Sequence, residues 1–257
     1  MEQNILTELK DNILYVTINR EKKLNALNKA TLAELAEMVT YAAKTEEVRA
    51  VLLTGAGEKA FVAGADISEF SSYTAEQGTE LARIGQAEVF NAIENSPKPF
   101  LAAINGFALG GGLELAMACH IRVAAESARM GLPEVTLGLI PGYGGTQRLT
   151  QLVGKGRALE MITTAEMISA ERAEKIGLVN YVVPLSELIS KAEEILNKIK
   201  QRAPLAVAAA IRSVNTAVTS VGFATEINEF GKCFATQDFK EGVSAFLEKR
   251  KANFKGS

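Results

Sequence analysis

From Pro99 to Ile121 the chain runs 23 residues with a single carboxylate, Glu114, and no lysine or arginine. A stretch this apolar belongs either inside a protein core or in lipid. Its composition decides between them. Asn105, Gly106 and the run Gly110-Gly111-Gly112 would leave backbone groups bare in lipid, and Glu114 would be costly there. The stretch therefore reads as protein interior: a buried strand at Pro99–Ile104, a glycine turn, and a short helix at Gly112–Cys119. With 257 residues, 47% of them apolar and 23% charged, the chain is long enough to build a core around it without staples.

What remains of the composition narrows the chemistry. Two cysteines, Cys119 and Cys233, cannot make a disulfide framework, and one histidine, His120, excludes a multi-histidine metal site. Neighbouring side chains such as Cys119 and His120 point apart, so they read as a core thiol and a hydrogen-bonded imidazole rather than a reactive pair. A formal charge of −2 offers no field for nucleic acid. The start, MEQNILTELKDN, has neither a basic n-region nor an apolar h-region, so the expectation is no signal peptide and a cytoplasmic location.

Along the chain, Ile5–Leu9 and Ile13–Ile18 flank Lys10-Asp11-Asn12 as a hairpin. Thr31–Lys44 places Leu32, Leu35, Val39 and Ala42 on one helical face. Ala50–Thr54 reads as a buried strand and Thr74–Asn95 as a long helix stopped at Ser96-Pro97. Ile121–Ala124 and Val179–Val183 are further strands, with weak helices between Thr146 and Lys175. From Ser186 the pattern is helical: Ser186–Lys200, Pro204–Thr219, Gly222–Ala235 and Asp238–Lys249. Strand and helix alternate first, and helices alone follow, which gives an α/β class with a helical end.

Two carboxylates sit in apolar company. Glu114 lies in Leu113-Glu114-Leu115-Ala116-Met117, and Glu134 is the only charged residue from Met130 to Gln147. Burial raises a carboxyl's pKa toward the range of a working acid or base; the bland alternative is that each projects from a buried segment. Leu109-Gly110-Gly111-Gly112 and Pro141-Gly142-Tyr143-Gly144-Gly145 each fit an anion-binding turn or a plain tight turn. Neither is a P-loop, since Gly154-Lys155-Gly156 lacks the hydroxyl residue after lysine, and Gly55-x-Gly57 lacks the third glycine of a dinucleotide fingerprint. Phe61-Val62-Ala63-Gly64-Ala65-Asp66-Ile67 alone is a loop after a strand. From Lys240 to Lys255 five basic residues face two glutamates, which fits a solvated helix end or a phosphate contact.

These segments, in this order, resemble the crotonase (enoyl-CoA hydratase/isomerase) superfamily. The likeness is carried by AFVAGADISEF from Ala60, by AAINGFALGGGLELAMACHIRVAAESARMGLPEVTLGLIPGYGGTQRL from Ala102, by ISAERAEKIGLVNYVV from Ile168 and by AFLEKRKANFK from Ala245. It covers nearly the whole chain and looks closest to the short-chain hydratase branch. The resemblance implies a spiral of ββα repeats over residues 1–195 and a helical region over 196–257 for trimerisation and for closing the CoA site. It implies reversible hydration of short 2-enoyl-CoA, with coenzyme A as part of the substrate, no separate cofactor, no metal, no nucleic acid, no membrane, and a homotrimer or homohexamer.

The resemblance also assigns roles by position. Ala65 and Gly111 match the oxyanion-hole donors, Glu114 and Glu134 the catalytic pair, and Gly142 a position near the catalytic water. Ala26, Leu27 and Ala63, Ala65, Asp66, Ile67 and Ser68 match the surface for CoA, together with Gly111. Phe246 and Lys249 match positions that close that site, often from a neighbouring subunit. Both glutamates being present favours hydration over an isomerase; a hydratase of branched or dicarboxylic substrates and an RNA-binding relative are the other readings. Ser68 stands where many hydratases carry lysine, Leu113 and Leu132 where relatives often have Cys and Gln, and Tyr143 where a small residue is common, which would narrow the acyl pocket.

Overall fold

The computed structural model describes residues 3–257. β1 (Ile5–Lys10) and β2 (Ile13–Ile18) form the expected hairpin, with Lys10 opposite Ile13. Asp11 and Asn12 both take positive φ, 48° and 64°, the two-residue turn that right-twisted strands favour. α1 (Lys29–Lys44) starts two residues before its expected boundary, because the Asn28 side chain accepts from the Thr31 N–H at 2.8 Å and caps it.

Three turns of one plan follow. β3 (Ala50–Gly55) and β4 (Ala60–Val62) lead to α2 (Ala75–Gly85), which passes through a π turn at Gln86–Phe90 into α3 (Asn91–Glu94). β5 (Phe100–Ile104) and β6 (Phe107–Leu109) lead to α4 (Gly111–Ala118). β7 (Ile121–Ala125) and β8 (Arg129–Gly131) lead through a 3₁₀ turn at Glu134–Leu137 to α5 (Gly145–Val153). α6 (Lys155–Thr164), β9 (Ile168–Ser169), α7 (Ala170–Lys175) and β10 (Tyr181–Val183) complete the core.

The long strands collect in a six-stranded sheet of order β1-β2-β3-β5-β7-β10, and the short ones in a four-stranded sheet of order β4-β6-β8-β9. Within each sheet, successive turns pair in parallel. The result is the spiral of ββα repeats. β4, β6, β8 and β9 are two or three residues long, too short to carry a period, so sequence pattern alone does not mark them, and β9 falls where weak helices are expected between Thr146 and Lys175.

All of β5 is buried, its side chains alternating between two layers. Phe100, Ala102 and Ile104 join the inner core beneath the small sheet and the helices, while Leu101 and Ala103 join a second layer on the opposite face. That face is covered by α8 (Leu188–Ile199) through Leu188, Ala192 and Leu196. Both faces being covered explains why the strand reads as unbroken apolar sequence. α8 runs across residue 195 and keeps its place on the sheet to Leu196.

α9 (Pro204–Asn215), α10 (Gly222–Cys233) and α11 (Gln237–Leu247) follow. Arg212 on α9 pairs with Glu229 on α10 at 2.5 Å. These helices leave large apolar side chains bare, Phe223 at 87% and Phe246 at 82% exposure, with Ile227 and Phe230 beside them. Among the described residues no helix is long and apolar enough to cross a membrane.

Candidate active site

Two glycines set the position of α4. Gly110 takes φ 51° and ψ −125°, a conformation that a Cβ would disfavour, and so lets β6 turn at once into the helix. Gly112 packs onto β4 so tightly that a Cβ would overlap the Val62 carbonyl oxygen and stand 2.7 Å from Val62 Cβ. The first helical bond runs from the Glu114 N–H to the Gly110 carbonyl at 3.0 Å. The Gly111 N–H precedes it and has no acceptor among the described residues.

A second free N–H comes from the segment after β4. The Leu27 N–H donates to the Gly64 carbonyl at 2.9 Å, and the Asp66 N–H donates to the Leu27 carbonyl at 2.7 Å. This bridge uses the groups on either side of Ala65. The Ala65 N–H therefore faces the other way, and Ala65 and Gly111 line one cavity of about 750 Å³.

Both carboxylates line the same cavity. Glu114, on the first turn of α4 and 1% exposed, accepts at Oε1 from the Tyr143 N–H at 2.8 Å and the Gly145 N–H at 2.7 Å. Glu134 reaches in from the 3₁₀ turn, and its Oε2 is buried with no partner among the described residues. Its Oε1 lies so close to Gly110 that a Cβ there would stand 2.9 Å away. Two inward N–H groups and two acids thus share one apolar-walled space, a combination suited to polarising a carbonyl while moving protons beside it.

An enoyl-CoA hydratase/isomerase family model matches residues 8–257. The chain belongs to the enoyl-CoA hydratase/isomerase family. It is 49% identical to the short-chain-enoyl-CoA hydratase of Clostridium acetobutylicum, over 96% of each chain, and 48% identical to the crotonyl-CoA hydratase of Syntrophomonas wolfei, over 98% of each. Its fold superposes on the crystal structure of an enoyl-CoA hydratase from Bacillus anthracis with a TM-score of 0.92 at 42% identity, covering 99% of this chain and 100% of that one.

Not every residue matched by position meets this family member's cavity. Ala63, Ala65, Ile67, Gly111 and Gly142 line it with the two glutamates. Ala26, Leu27, Asp66 and Ser68 do not line it. Leu27 is buried against Ala65, the Ala26 carbonyl accepts from Arg20, and Asp66 pairs with Arg20 at 3.2 Å while accepting from the Ser68 hydroxyl at 2.6 Å. Phe246 and Lys249, at and just beyond the end of α11, lie outside the cavity of their own chain.

Several supporting residues had no signal in the sequence. Gln86 donates to the Gly142 carbonyl at 2.6 Å, and Phe90 stacks on Tyr143 with ring centroids 4.7 Å apart. Both lie on the π turn, off the regular helical period. Arg148, also buried, donates to the Tyr143 carbonyl at 2.9 Å and is held by Asn91 and Glu94, each at 2.7 Å. These three contacts fix the loop whose N–H groups hold Glu114. Cys119 and His120 take the structural roles expected: burial pushes the thiol up to about 12, and His120 Nδ1 accepts from the Phe100 N–H at 2.9 Å while Nε2 stands 3.0 Å from the Glu94 carbonyl. Among the described residues no group of three or more His, Cys, Asp or Glu side chains is placed to hold a metal ion.

Burial pushes the Glu114 carboxyl up to about 7, opposed chiefly by the Gly145 N–H, with the nearby Glu134 charge adding to the rise. Burial also raises Glu134, opposed only by its own backbone N–H. The folded protein therefore binds a proton at Glu114 between pH about 4.5 and about 7 that the unfolded chain has released. That stabilisation is present at low pH and lost as pH rises through this window. Urea unfolding from pH 5 to pH 8 should show Glu114→Gln gaining about 2 to 3 kcal/mol on the wild type, from 1.36 kcal/mol per pH unit. A difference that stays constant across the range would return Glu114 to an ordinary carboxylate.

Proposed function

We propose that this protein catalyses the reversible syn hydration of short-chain trans-2-enoyl-CoA to 3-hydroxyacyl-CoA, as in crotonyl-CoA to 3-hydroxybutyryl-CoA. The observation that carries the reading is a buried carboxyl, Glu114, and a half-buried one, Glu134, in one cavity with two N–H groups that have no acceptor among the described residues. The two relatives at 49% and 48% identity, a short-chain-enoyl-CoA hydratase and a crotonyl-CoA hydratase, support the same substrate class.

In this reading the thioester oxygen accepts from the Ala65 and Gly111 N–H groups, which draw charge out of the conjugated alkene. A water lies between the two acids, near Gly142. Glu114 takes one proton from it as the oxygen bonds to C3. Electrons move to the thioester oxygen as an enolate, and that enolate takes the Glu134 proton at C2. The pair ends with its proton moved from Glu134 to Glu114, and exchange with solvent or with each other resets it.

Two effects bear on which acid ionises first. Deeper burial raises Glu114, while its two N–H donors stabilise its anion. A substrate seated on Glu134 removes its remaining solvent and leaves the donors as the difference, so Glu114 serves as base and Glu134 as acid. The protons belong to the coupled pair, and the pH–rate profile reports the pair.

The chemistry calls for no metal and no cofactor beyond the CoA carried by the substrate. Ala26, Leu27, Ala63, Asp66, Ile67 and Ser68 form or back the wall along which CoA lies. Phe246 and Lys249 reach the CoA site of a neighbouring copy in a homotrimer or homohexamer, built on the bare apolar face of α10 and α11. The catalytic core expected over residues 1–195 extends through the end of α8 at Ile199, and the helices from α9 onward are the oligomerisation region of this cytoplasmic enzyme. The test is the loss of enoyl-thioester ultraviolet absorbance when purified protein meets crotonyl-CoA. Rapid loss is expected. No loss in a folded protein that binds CoA would move the activity to 3-enoyl or branched substrates.

A further inference from the structure

We infer that Tyr143 is the end wall of the acyl pocket and that Gly85, through Tyr143, sets the acyl length the pocket accepts. The inference rests on the cavity taking an acyl-CoA, as proposed above.

The ring is held as a plate between two helices. Its Cδ2 edge would lie 3.6 Å from a Cβ on Gly111, the oxyanion donor on α4. Its opposite edge lies against Gly85 at the end of α2, where a Cβ would overlap Cε1 and stand 2.8 Å from Cδ1. Phe90 covers one face, stacked at 12° from parallel. With both edges and one face covered, the second face and the hydroxyl end are left to meet the cavity that Tyr143 lines. The hydroxyl makes no hydrogen bond among the described residues, and burial pushes it up to about 12.

The position of this plate relative to the reacting carbons is fixed by the backbone. The Tyr143 N–H donates to Glu114, and the ring edge neighbours Gly111. An acyl chain whose carbonyl oxygen sits at the Gly111 N–H passes the two acids at C2 and C3 and then meets the ring. A crotonyl chain ends there. A longer chain must displace the ring, and Gly85 on one side and Phe90 behind leave it no room to retreat.

Gly85 is therefore a specificity position that never touches substrate. Adding a Cβ at Gly85 forces the ring toward Gly111 and the cavity. Replacing Tyr143 by alanine opens the wall and keeps the N–H that Glu114 needs. The two substitutions must then depend on one another.

The experiment measures kcat/KM for trans-2-enoyl-CoA of four, six and eight carbons, and dissociation constants for the saturated butyryl-, hexanoyl- and octanoyl-CoA by calorimetry. Wild type, Tyr143→Phe, Tyr143→Ala, Gly85→Ala and the double variant are compared, with circular dichroism and thermal unfolding as folding controls. In Tyr143→Ala the C8:C4 ratio should rise about tenfold or more in both assays, the scale of discrimination one methylene gives in a fitted pocket. Tyr143→Phe, which keeps the plate, should hold the wild-type ratio. Gly85→Ala should cut kcat/KM on crotonyl-CoA about tenfold or more, yet change it less than about twofold in the Tyr143→Ala background, since contacting residues couple and distant ones add.

A C8:C4 ratio unchanged in folded Tyr143→Ala, or a Gly85→Ala effect equal in both backgrounds, overturns the inference. A wild type that hydrates none of the substrates but binds the saturated series with the expected shift in Tyr143→Ala sinks the hydratase reading and leaves the wall standing. Binding of no acyl-CoA overturns both.

Discussion

Glu134→Gln should lower kcat for hydration of crotonyl-CoA by about 10²- to 10⁴-fold, the range a single positioned acid or base supplies. The substitution preserves shape and leaves the turn at Glu134–Leu137 intact, so the fold should hold. What it removes is the proton that Oε2 delivers in the proposed mechanism: this oxygen is buried without a partner among the described residues. Glu114→Gln should lose activity on the same scale for a different reason. Its amide oxygen still accepts from the Tyr143 and Gly145 N–H groups, so the loop stays in place, but it cannot take a proton from water. The pair of results has an unusual signature. Glu114→Gln should be nearly inert and also more stable than wild type at pH 8, since it deletes a buried charge. Stopped-flow hydration beside urea unfolding at pH 8 reads both. A fall of less than tenfold in either variant would remove that residue from the proton transfers.

Gly112→Ala carries the second large effect. A Cβ there overlaps the Val62 carbonyl oxygen and stands 2.8 Å from the Val62 carbonyl carbon, and backbone on both sides cannot rotate out of the way. α4 must lift from β4, at a cost of about 1 to 3 kcal/mol as for other overpacked interiors. The lift also moves Gly111 and Glu114, which lie on either side of Gly112 on α4. Losing the alignment of one oxyanion donor costs about 10² to 10³ in kcat. Gly156→Ala is the control, because nothing lies within 4 Å of its Cβ position and α6 gains a better helix former. Its unfolding free energy should stay within about 0.5 kcal/mol of wild type or rise slightly. Equal activity in Gly112→Ala and Gly156→Ala would show that the packing of α4 on β4 does not govern the site.

The sequence was most legible where residue type and position carry the same information. The run from Pro99 to Ile121 identified itself as interior, and it is β5, β6 and α4. Asp11 and Asn12 between two apolar alternations announced the hairpin. Glu114 and Glu134 stood out because a carboxylate is costly in apolar surroundings, and both line the cavity. The spiral was not legible in pattern, because the strands that define its second sheet are two or three residues long and their partners lie a full turn away in sequence. It came only through resemblance. Gln86 and Phe90 were hidden for another reason. Nothing in Gly85-Gln86-Ala87-Glu88-Val89-Phe90 marks a π turn, yet that widened turn carries both the side chain that meets the Gly142 carbonyl and the ring that stacks on Tyr143.

The donors proposed at Ala65 and Gly111 are main-chain groups, and that alters what mutation can reach. No side-chain replacement short of proline deletes an N–H, so an alanine scan passes over both positions with little to report. Selection on this part of the site is exerted indirectly, on whatever keeps two peptide planes aimed at one point. Intolerance should therefore concentrate at Gly110 and Gly112, which donate to no substrate atom, and at Leu27, whose bridge turns Ala65 toward the cavity. A deep mutational map of this enzyme should draw the proposed oxyanion hole as an outline, dark around the edges and pale at the two donor positions.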